Sequence, residues 1–518
     1  MFGKTNKPYL EDTEDIPLKD RLISNTIYLF IDWFALSVIG FAYWSISGKL
    51  LLPGEYGIVS TAVNLALLLG GASLLGLNST VWKLIPEYQT RREHGKIISL
   101  VRFSLKVVLI SNAAILLGLL VLSPIILPIL KIPMSVLVLS GAILVTYSIA
   151  LQFRFIIYAF QDMRRLAVTD FLSQLTKVAV SPLLIFLGFK YFGPLVGFLF
   201  GQIILVVLRI GSIPLTGKSV KINERFIMFT YAMPAFITGL GWLVFTNGQY
   251  VLLTALQNPA VTGVYTVGLL LTSVLVIVPT TLNSALLPIT SRLSAERDLK
   301  NRRIRLIQLV LRYSLLITLP LAVLLFLFSE TAILLFSRVE YLSAVKFFPL
   351  LILGSVIYGM SGIFLDNIYA VGKPKATRNI VVIMTLVFLS LAVPLIYLFS
   401  ATGAAAAYTI SSALVFLLSY LYLRKHLKLS TPYGSIFKLA ISLIVSFGFL
   451  YLVIGIADNL VLRLILAALS LLLYLTILVP LRFYTKDDIK ILDFFAKKSP
   501  ILNKQIIRFR DLLAKFVK

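Results

Sequence analysis

Cysteine is absent from the 518 residues, and histidine occurs only twice, as His94 and His426. The first absence excludes disulfides, thiolate metal sites and cysteine nucleophiles. The second leaves too few rings for a histidine-built metal centre or catalytic triad. Charge is also scarce: Asp, Glu, Lys and Arg make up 14% of the chain, where soluble domains carry about a quarter. That is too little to coat the surfaces of the several domains a soluble chain of this length would form. Soluble enzymes, DNA-binding domains and disordered scaffolds are excluded.

What is present instead is apolar: 59% of residues are hydrophobic and the mean hydropathy is +0.95. Lipid is the solvent for most of the chain. Apolar runs of about 20 residues predict fourteen helices, at 22–47, 56–82, 97–122, 134–159, 166–189, 193–215, 226–255, 262–289, 304–328, 346–371, 377–400, 404–424, 433–454 and 460–481. The runs are continuous rather than alternating, so the class is an all-α polytopic membrane protein and not a barrel. With the N-terminus in the cytoplasm, inner loops and inner helix ends hold 41 of the 48 Lys and Arg residues. Outer segments hold Lys49, Lys131, Lys190, Arg338, Lys346 and Arg463, and Lys177 lies within a span. This asymmetry places both termini in the cytoplasm, and the expected location is the plasma membrane. Charges of both signs at the start, with no small-residue cleavage site after a short apolar run, speak against a cleaved signal peptide.

The net charge of +26 follows from the same distribution. The cations form inner-face collars such as Arg91-Arg92 and Arg302-Arg303, suited to anionic inner-leaflet lipids. Nucleic acid is not an expected partner, because no folded basic domain with interleaved aromatics exists to bind it.

An internal repeat recurs at a spacing of about 210 residues. Val101-Arg102-Phe103-Ser104-Leu105 matches Leu311-Arg312-Tyr313-Ser314-Leu315, and Tyr158-Ala159-Phe160 matches Tyr369-Ala370-Val371. Gly193 matches Gly403, and Leu77-Asn78-Ser79 matches Leu282-Asn283-Ser284. The unit holds six spans, an even number, so both copies insert with one orientation. The expected organisation is a cytoplasmic N-terminus (1–21), an N-lobe (22–218), a C-lobe (219–428), an appended helix pair (429–484) and a basic tail (485–518). Two such lobes would enclose a central cavity and expose it to either side by rocking, which is transporter architecture.

Particular stretches sharpen this. They are Glu55-Tyr56-Gly57 leading to Leu75-Gly76-Leu77 and Pro86-Glu87-Tyr88, then Gly263-Val264-Tyr265, Leu287-Pro288 with Ser291-Arg292-Leu293, and Tyr369-Ala370 with Gly372-Lys373-Pro374-Lys375. In these the chain resembles the polysaccharide-biosynthesis and O-antigen flippase branch of the multidrug/oligosaccharidyl-lipid/polysaccharide exporter superfamily. The resemblance implies two V-shaped, MATE-like six-helix lobes and movement of polyprenyl-linked oligosaccharides across the membrane. It also implies glycan-assembly enzymes as candidate partners and a place in cell-surface glycan biosynthesis. Members often carry an acidic residue late in span seven, where this chain reads Asn247-Gly248-Gln249-Tyr250.

Ionisable groups inside the membrane are costly and should face a cavity or a partner. Four are central: Asp32, Arg154, Lys177 and Asp366. Gln152, Gln174, Gln202, Asn247, Gln249 and Asn367 add hydrogen-bonding groups. One reading is an electropositive pocket in which Arg154 and Lys177 grip a pyrophosphate, with Gln152, Gln174, Asn247, Gln249 and Asn367 around the sugar. The other is that Arg154 and Lys177 neutralise Asp32 and Asp366 and lock helices together. Asp32 could instead carry a proton or help bind sodium. Arg102 and Arg312 lie near inner helix ends and are expected to snorkel to phosphate headgroups. Asp170 is expected to be a solvated or paired inner-end residue.

The expected function is therefore a flippase moving a polyprenyl-(pyro)phosphate-linked oligosaccharide from the inner to the outer leaflet by alternating access, without covalent chemistry. No cofactor or metal is expected, and no GxxxxGK[ST] motif for ATP is present. Coupling to H+, Na+ or the membrane potential is left open. A cation-coupled drug or metabolite antiporter of the same fold is the alternative. A glycosyltransferase, polymerase or ligase would need acids on a sizeable outer loop, and the outer segments offer chiefly Glu330, Glu340 and Asp458. In the tail, Ile506, Phe509, Leu513 and Phe516 recur at helical spacing among basic residues, the pattern of an amphipathic helix on the inner leaflet.

Overall fold

The computed structural model describes residues 28–29, 31–32, 35–294, 300–429, 433–453, 459–485 and 488–489. Among them the chain is helix and turn, with no strand. Helices satisfy their own backbone groups, as a hydrocarbon solvent requires. In chain order they are α1 (Gly40–Leu50, entered through a π-helical turn at Ala35–Ile39), α2 (Pro53–Ser73), α3 (Leu77–Thr90), α4 (His94–Val121), α5 (Met134–Ala159), α6 (Met163–Leu184) and α7 (Phe192–Ile210). There follow α8 (Glu224–Leu256), α9 (Pro259–Ser294), α10 (Lys300–Leu327), α11 (Phe348–Ala370), α12 (Pro374–Leu427), α13 (Tyr433–Val453) and α14 (Leu460–Ile477).

The all-α class is as expected, but the count of fourteen spans is not reproduced. Eleven helices among the described residues are long and apolar enough to cross a bilayer. Three points account for the difference. The 54-residue α12 counts once, although Ser400 breaks it with φ +53°, where the sequence placed a turn between two spans. The last apolar helix, Val461–Ile477, is short. Residues 22–27, 30, 33 and 34 of the first expected span lie outside the described residues, and its α-helix runs from Gly40. Large apolar side chains point outward from many helices: Leu117, Phe186 and Tyr397 are 63%, 76% and 76% exposed, as a lipid-facing surface allows. The amphipathic segment expected after residue 489 lies outside the described residues.

The chain divides into two compact units, Met1–Ile277 with Ser329–Tyr422 and Val278–Phe328 with Leu423–Lys518. In the first, Val81, Leu84, Ile97, Leu100, Ile156 and Leu166 form a fully apolar core between α3, α4, α5 and α6. The expected helix over 56–82 is interrupted there. Leu75 and Gly76 take φ +47° and +78°, and a Cβ on Gly76 would lie 2.1 Å from the Ala232 carbonyl oxygen. Glycine is therefore required both by the left-handed turn and by the close approach of α8.

The starts of α2 and α9 cross backbone to backbone. A Cβ on Gly57 would come 1.6 Å from the Pro259 carbonyl oxygen, and one on Gly263 would come 2.1 Å from that of Pro53. Further along, the Ser60 and Thr266 hydroxyls are 2.8 Å apart. Pro53, Gly57 and Ser60 correspond to Pro259, Gly263 and Thr266, each 206 positions later, so the contacts of Gly57 with Pro259 and of Gly263 with Pro53 are reciprocal between equivalent places of the two repeats. At the same helix ends, the Lys49 ammonium donates to the carbonyls of Leu334 and Ser337 at 2.6 and 2.8 Å. Lys131 donates to the Gln257 carbonyl, and the Tyr341 hydroxyl to that of Leu51 at 3.0 Å.

In the second unit α10 packs on α13 and α14 around Leu439, Phe447, Leu450, Tyr474 and Leu478. Ser442 donates to the Tyr474 carbonyl at 2.7 Å, and the Tyr474 hydroxyl to that of Leu316 at 3.2 Å. The repeat-related arginines have a role beyond the expected snorkelling. Arg102 donates to the Leu215 carbonyl at 2.9 and 2.6 Å. Arg312 donates to the Phe483 carbonyl at 3.0 Å and to Asp488 at 2.5 Å. Each pins a segment outside the helices to its own helix.

Candidate functional site

The site begins with the packing of α6 on α7. Gly193, Gly197 and Gly201 recur every fourth residue along one face of α7 and meet Ser181, Lys177 and Ser173 of α6. A Cβ on Gly197 would sit 2.2 Å from the Ser181 hydroxyl, and one on Gly201 would sit 2.7 Å from both Cγ and Cε of Lys177. Small residues at four-residue spacing let the backbones approach closely. Here they also leave a channel for the Lys177 stem. Its Nζ comes to 4.2 Å from the centre of the Phe198 ring, a cation–π contact that partly replaces lost hydration.

Lys177 is 6% exposed and has no hydrogen-bond or carboxylate partner among the described residues. It lines a cavity of about 410 Å³ with Ser37, Asn64, Gln174 and Tyr250, and with the aromatic faces of Phe41, Trp44 and Phe198. The amide of Asn64 is tied back to the Ser60 carbonyl at 2.8 Å, leaving its oxygen as an acceptor. The Tyr43 hydroxyl, also at the cavity, is committed to the Pro194 carbonyl at 2.9 Å. A cation, amides and aromatic faces around one space are what an anionic group joined to a sugar would meet.

The other central charges form an ion-paired cluster whose Asp170 and Arg209 also act on Lys177 through their charge. Arg154 reaches from α5 to Asp32 at 2.5 Å and to Asp170 of α6 at 2.5 Å. Arg209 of α7 reaches the same Asp170 oxygen at 2.6 Å and also donates to the Thr169 hydroxyl at 3.0 Å and the Ala150 carbonyl at 3.2 Å. Two carboxylates thus face two guanidiniums. Asp32 is fully buried, and its second oxygen, Oδ1, has no partner among the described residues.

The structure therefore separates the residues that the sequence grouped. Lys177 and Gln174 line the cavity; Arg154 does not. Gln152 is buried and donates to the Ser104 hydroxyl at 3.0 Å. Gln249 accepts from the Tyr265 hydroxyl at 2.8 Å and donates to the Thr246 carbonyl at 3.1 Å. Asn247 donates to the Thr246 hydroxyl at 3.0 Å, and Asn367 to the Ile363 carbonyl at 2.8 Å. Asp366 is exposed on α11. Sequence reasoning missed Arg209, which stands at a helix end and looks like a collar residue. It also missed Asn64 and the Gly193, Gly197, Gly201 spacing, the one signal that could have shown where Lys177 goes.

Residues 22–294 match the family model described as polysaccharide biosynthesis protein. No curated protein matches the sequence significantly. Among solved structures the chain is similar to the lipid II flippase MurJ in an inward closed conformation, with a TM-score of 0.66 and 17% identity over 88% of this chain and 98% of that one. It is similar to an inward-facing multidrug resistance MATE family transporter of the MOP superfamily, with a TM-score of 0.54 and 14% identity over 78% and 94%. The MATE multidrug transporter DinF-BH, solved as a complex, gives 0.54 and 16% identity over 80% and 96%. At these identities the likeness is one of fold, and it makes the chain a multi-pass membrane protein of MurJ- and MATE-like architecture.

Proposed function

The chain belongs to the polysaccharide biosynthesis protein family, and on that premise we propose that it is a flippase for a polyprenyl-(pyro)phosphate-linked oligosaccharide. In this reading the lipid-linked sugar passes from the inner to the outer leaflet of the plasma membrane by alternating access, both termini being cytoplasmic. The observation that carries it is Lys177. A buried ammonium with no ion pair of its own, sharing the field of Asp170 with Arg154 and Arg209, is costly, and a cavity beside it lets a phosphate supply charge. Aromatic faces and amides around the same space suit a sugar. The ends of α2 and α9 that meet at Gly57 and Gly263 lie on the side assigned to the outside, so their crossing closes that face while the cavity waits for a ligand from the cytoplasm.

Transport needs no covalent chemistry in this scheme, and the membrane potential can supply direction. Each elementary charge moved through 100 mV is worth about 2.3 kcal/mol. An inside-negative potential drives an anionic headgroup outward and draws an unoccupied cationic cavity back. The N-lobe and C-lobe of the repeat, 22–218 and 219–428, are the bodies that would rock.

The alternative is a cation-coupled antiporter, and a specific observation keeps it in view: Oδ1 of Asp32 is buried and free of partners among the described residues. Against it, the other oxygen of Asp32 is already bound to Arg154 at 2.5 Å, which supplies the charge a bound cation would bring. The deciding experiment is transbilayer movement of a labelled polyprenyl-pyrophosphate oligosaccharide in liposomes holding the purified protein, with Lys177→Ala beside it. Movement lost in a folded Lys177→Ala variant supports the flippase. Absence of movement, with proton- or sodium-driven uptake of organic cations, would hand the site to the antiporter and to Asp32.

A further inference from the structure

A second and larger recess, about 970 Å³, lies away from the cavity. One wall is the first half of α4, with Ser99, Arg102 and Lys106; the other is residues 219–223 of the linker that joins α7 to α8, with Glu224 at the start of α8. The linker is held there through its backbone. Ser99 donates to the Val220 carbonyl at 2.6 Å and accepts from the Val220 N–H at 3.0 Å. The Arg102 bonds to the Leu215 carbonyl fix its beginning.

The charges in this recess are unbalanced. Lys106 and Lys221 have no hydrogen-bond or carboxylate partner among the described residues, and the Nη1 group of Arg102 is likewise unused. Glu224 is the one acid in the lining. Lys106 is the informative position. It stands twelve residues beyond His94 on α4, about 18 Å along the helix, and is exposed on a face that looks to lipid. Arg102, Lys106, Leu109, Ile110 and Leu117 follow one another along that face, and the last three are 52%, 58% and 63% exposed. One stripe of helix therefore changes from cationic to apolar with depth. Three cations facing one recess without an ion pair attract an anion, and a molecule with a phosphate at one end and hydrocarbon at the other matches the whole stripe.

We propose that this recess binds an anionic phospholipid, its phosphate between Arg102, Lys106 and Lys221 and one acyl chain along Leu109, Ile110 and Leu117. The bound lipid bridges α4 to the segment connecting the two repeats. It thereby makes the hold of that linker depend on the anionic content of the leaflet. This site is independent of the cavity at Lys177 and of the substrate carried there.

The test is native mass spectrometry of the full-length protein in detergent with added phosphatidylglycerol, phosphatidylcholine or inorganic phosphate. Phosphatidylglycerol should bind in clear excess over phosphatidylcholine. Lys106→Gln with Lys221→Gln should weaken it about twenty-five-fold, roughly five-fold per lysine, the scale of one surface cation's attraction to an anionic leaflet. Equal binding of the two lipids, or undiminished phosphatidylglycerol binding by the double variant, overturns the proposal. Displacement of the lipid by millimolar phosphate overturns it too, and makes the recess a site for soluble anions. Should the double variant not purify, Lys221→Gln in the exposed linker carries the same test with a five-fold loss expected, and no loss overturns the proposal.

Discussion

Arg154 and Arg209 end on the same oxygen of Asp170, at 2.5 and 2.6 Å, from two different helices. That one carboxylate is the junction of α5, α6 and α7. Arg209 is 1% exposed, so its charge has no recourse to water. Removing one partner of a buried pair costs about 3–5 kcal/mol, because the other charge is stranded. We expect Asp170→Ala to lower the thermal unfolding midpoint sharply in detergent. Asp32→Asn should cost much less, because Arg154 keeps Asp170. Equal losses for the two would show that the junction is not where the structure puts it.

Lys177 should behave in the opposite way. Lys177→Gln removes an ammonium that has no ion pair of its own and only the field of Asp170, which two arginines already bind, so stability should change little while substrate movement is lost. Gly201→Leu offers a second route to that loss. It drives a side chain into the space the Lys177 stem occupies, where even a Cβ falls 2.7 Å from Cγ and Cε. Liposome flipping beside a melting curve distinguishes the two effects. A Lys177→Gln variant that flips at the native rate would remove the lysine from the mechanism.

The crossing of α2 and α9 allows no side chain at all. A Cβ on Gly57 would fall 1.6 Å from a carbonyl oxygen, so Gly57→Leu must part the helices at that end. We expect a population shift toward the state open there. Because the chain has no cysteine, Gly54→Cys and Ala260→Cys introduce the only two spin labels. Their distance distribution should lengthen when Gly57→Leu is added. An unchanged distribution would mean the crossing can absorb the side chain without opening.

The clamp between Arg312 and Asp488 has a predictable pH response. Burial pushes the Asp488 carboxyl up, but hydrogen bonds from Tyr313, Arg312 and the Thr485 backbone outweigh it and hold the group below its ordinary value of 3.8. A depressed value in the folded protein means the carboxylate contributes fully above the ordinary value. The contribution is lost only as the pH falls through the depressed one. Hydrogen exchange of the 483–489 segment should therefore be the same, after correction for intrinsic rate, at pH 7 and pH 5. Asp488→Asn should raise it at both. Faster exchange already at pH 5 in the native protein would place the titration elsewhere.

The helices were readable because lipid imposes a single rule, a long apolar run, and composition alone satisfies it. The turn at Ser400 and the break before α6 fell where apolar runs end. The left-handed turn at Leu75 and Gly76 was hidden, since an apolar stretch runs straight through it and only the approach of Ala232 demands it. The site was half readable. That Asp32, Arg154 and Lys177 must be satisfied somehow follows from their depth, whereas Asp366, grouped with them in the sequence, is exposed and Asp170, read as an inner-end residue, is the buried partner. The pairing depends on how α5, α6 and α7 are rotated against one another. A helix turn decides whether an arginine meets a carboxylate or a cavity. Arg209 looked like one more cation at a helix end, and nothing in its neighbourhood along the chain points to Asp170.

The meeting of Gly57 with Pro259 and of Gly263 with Pro53 has a further implication. A surface that touches its own copy at the same residues is isologous, the kind by which two identical chains associate. A six-span chain carrying this proline and glycine four residues apart would present to a second molecule the edge that the two repeats present to each other. Fusing such a pair into one polypeptide would conserve that edge while freeing the two halves to diverge everywhere else. The lysine at the cavity in the first half, and the clamp that secures the second, are where the two halves differ.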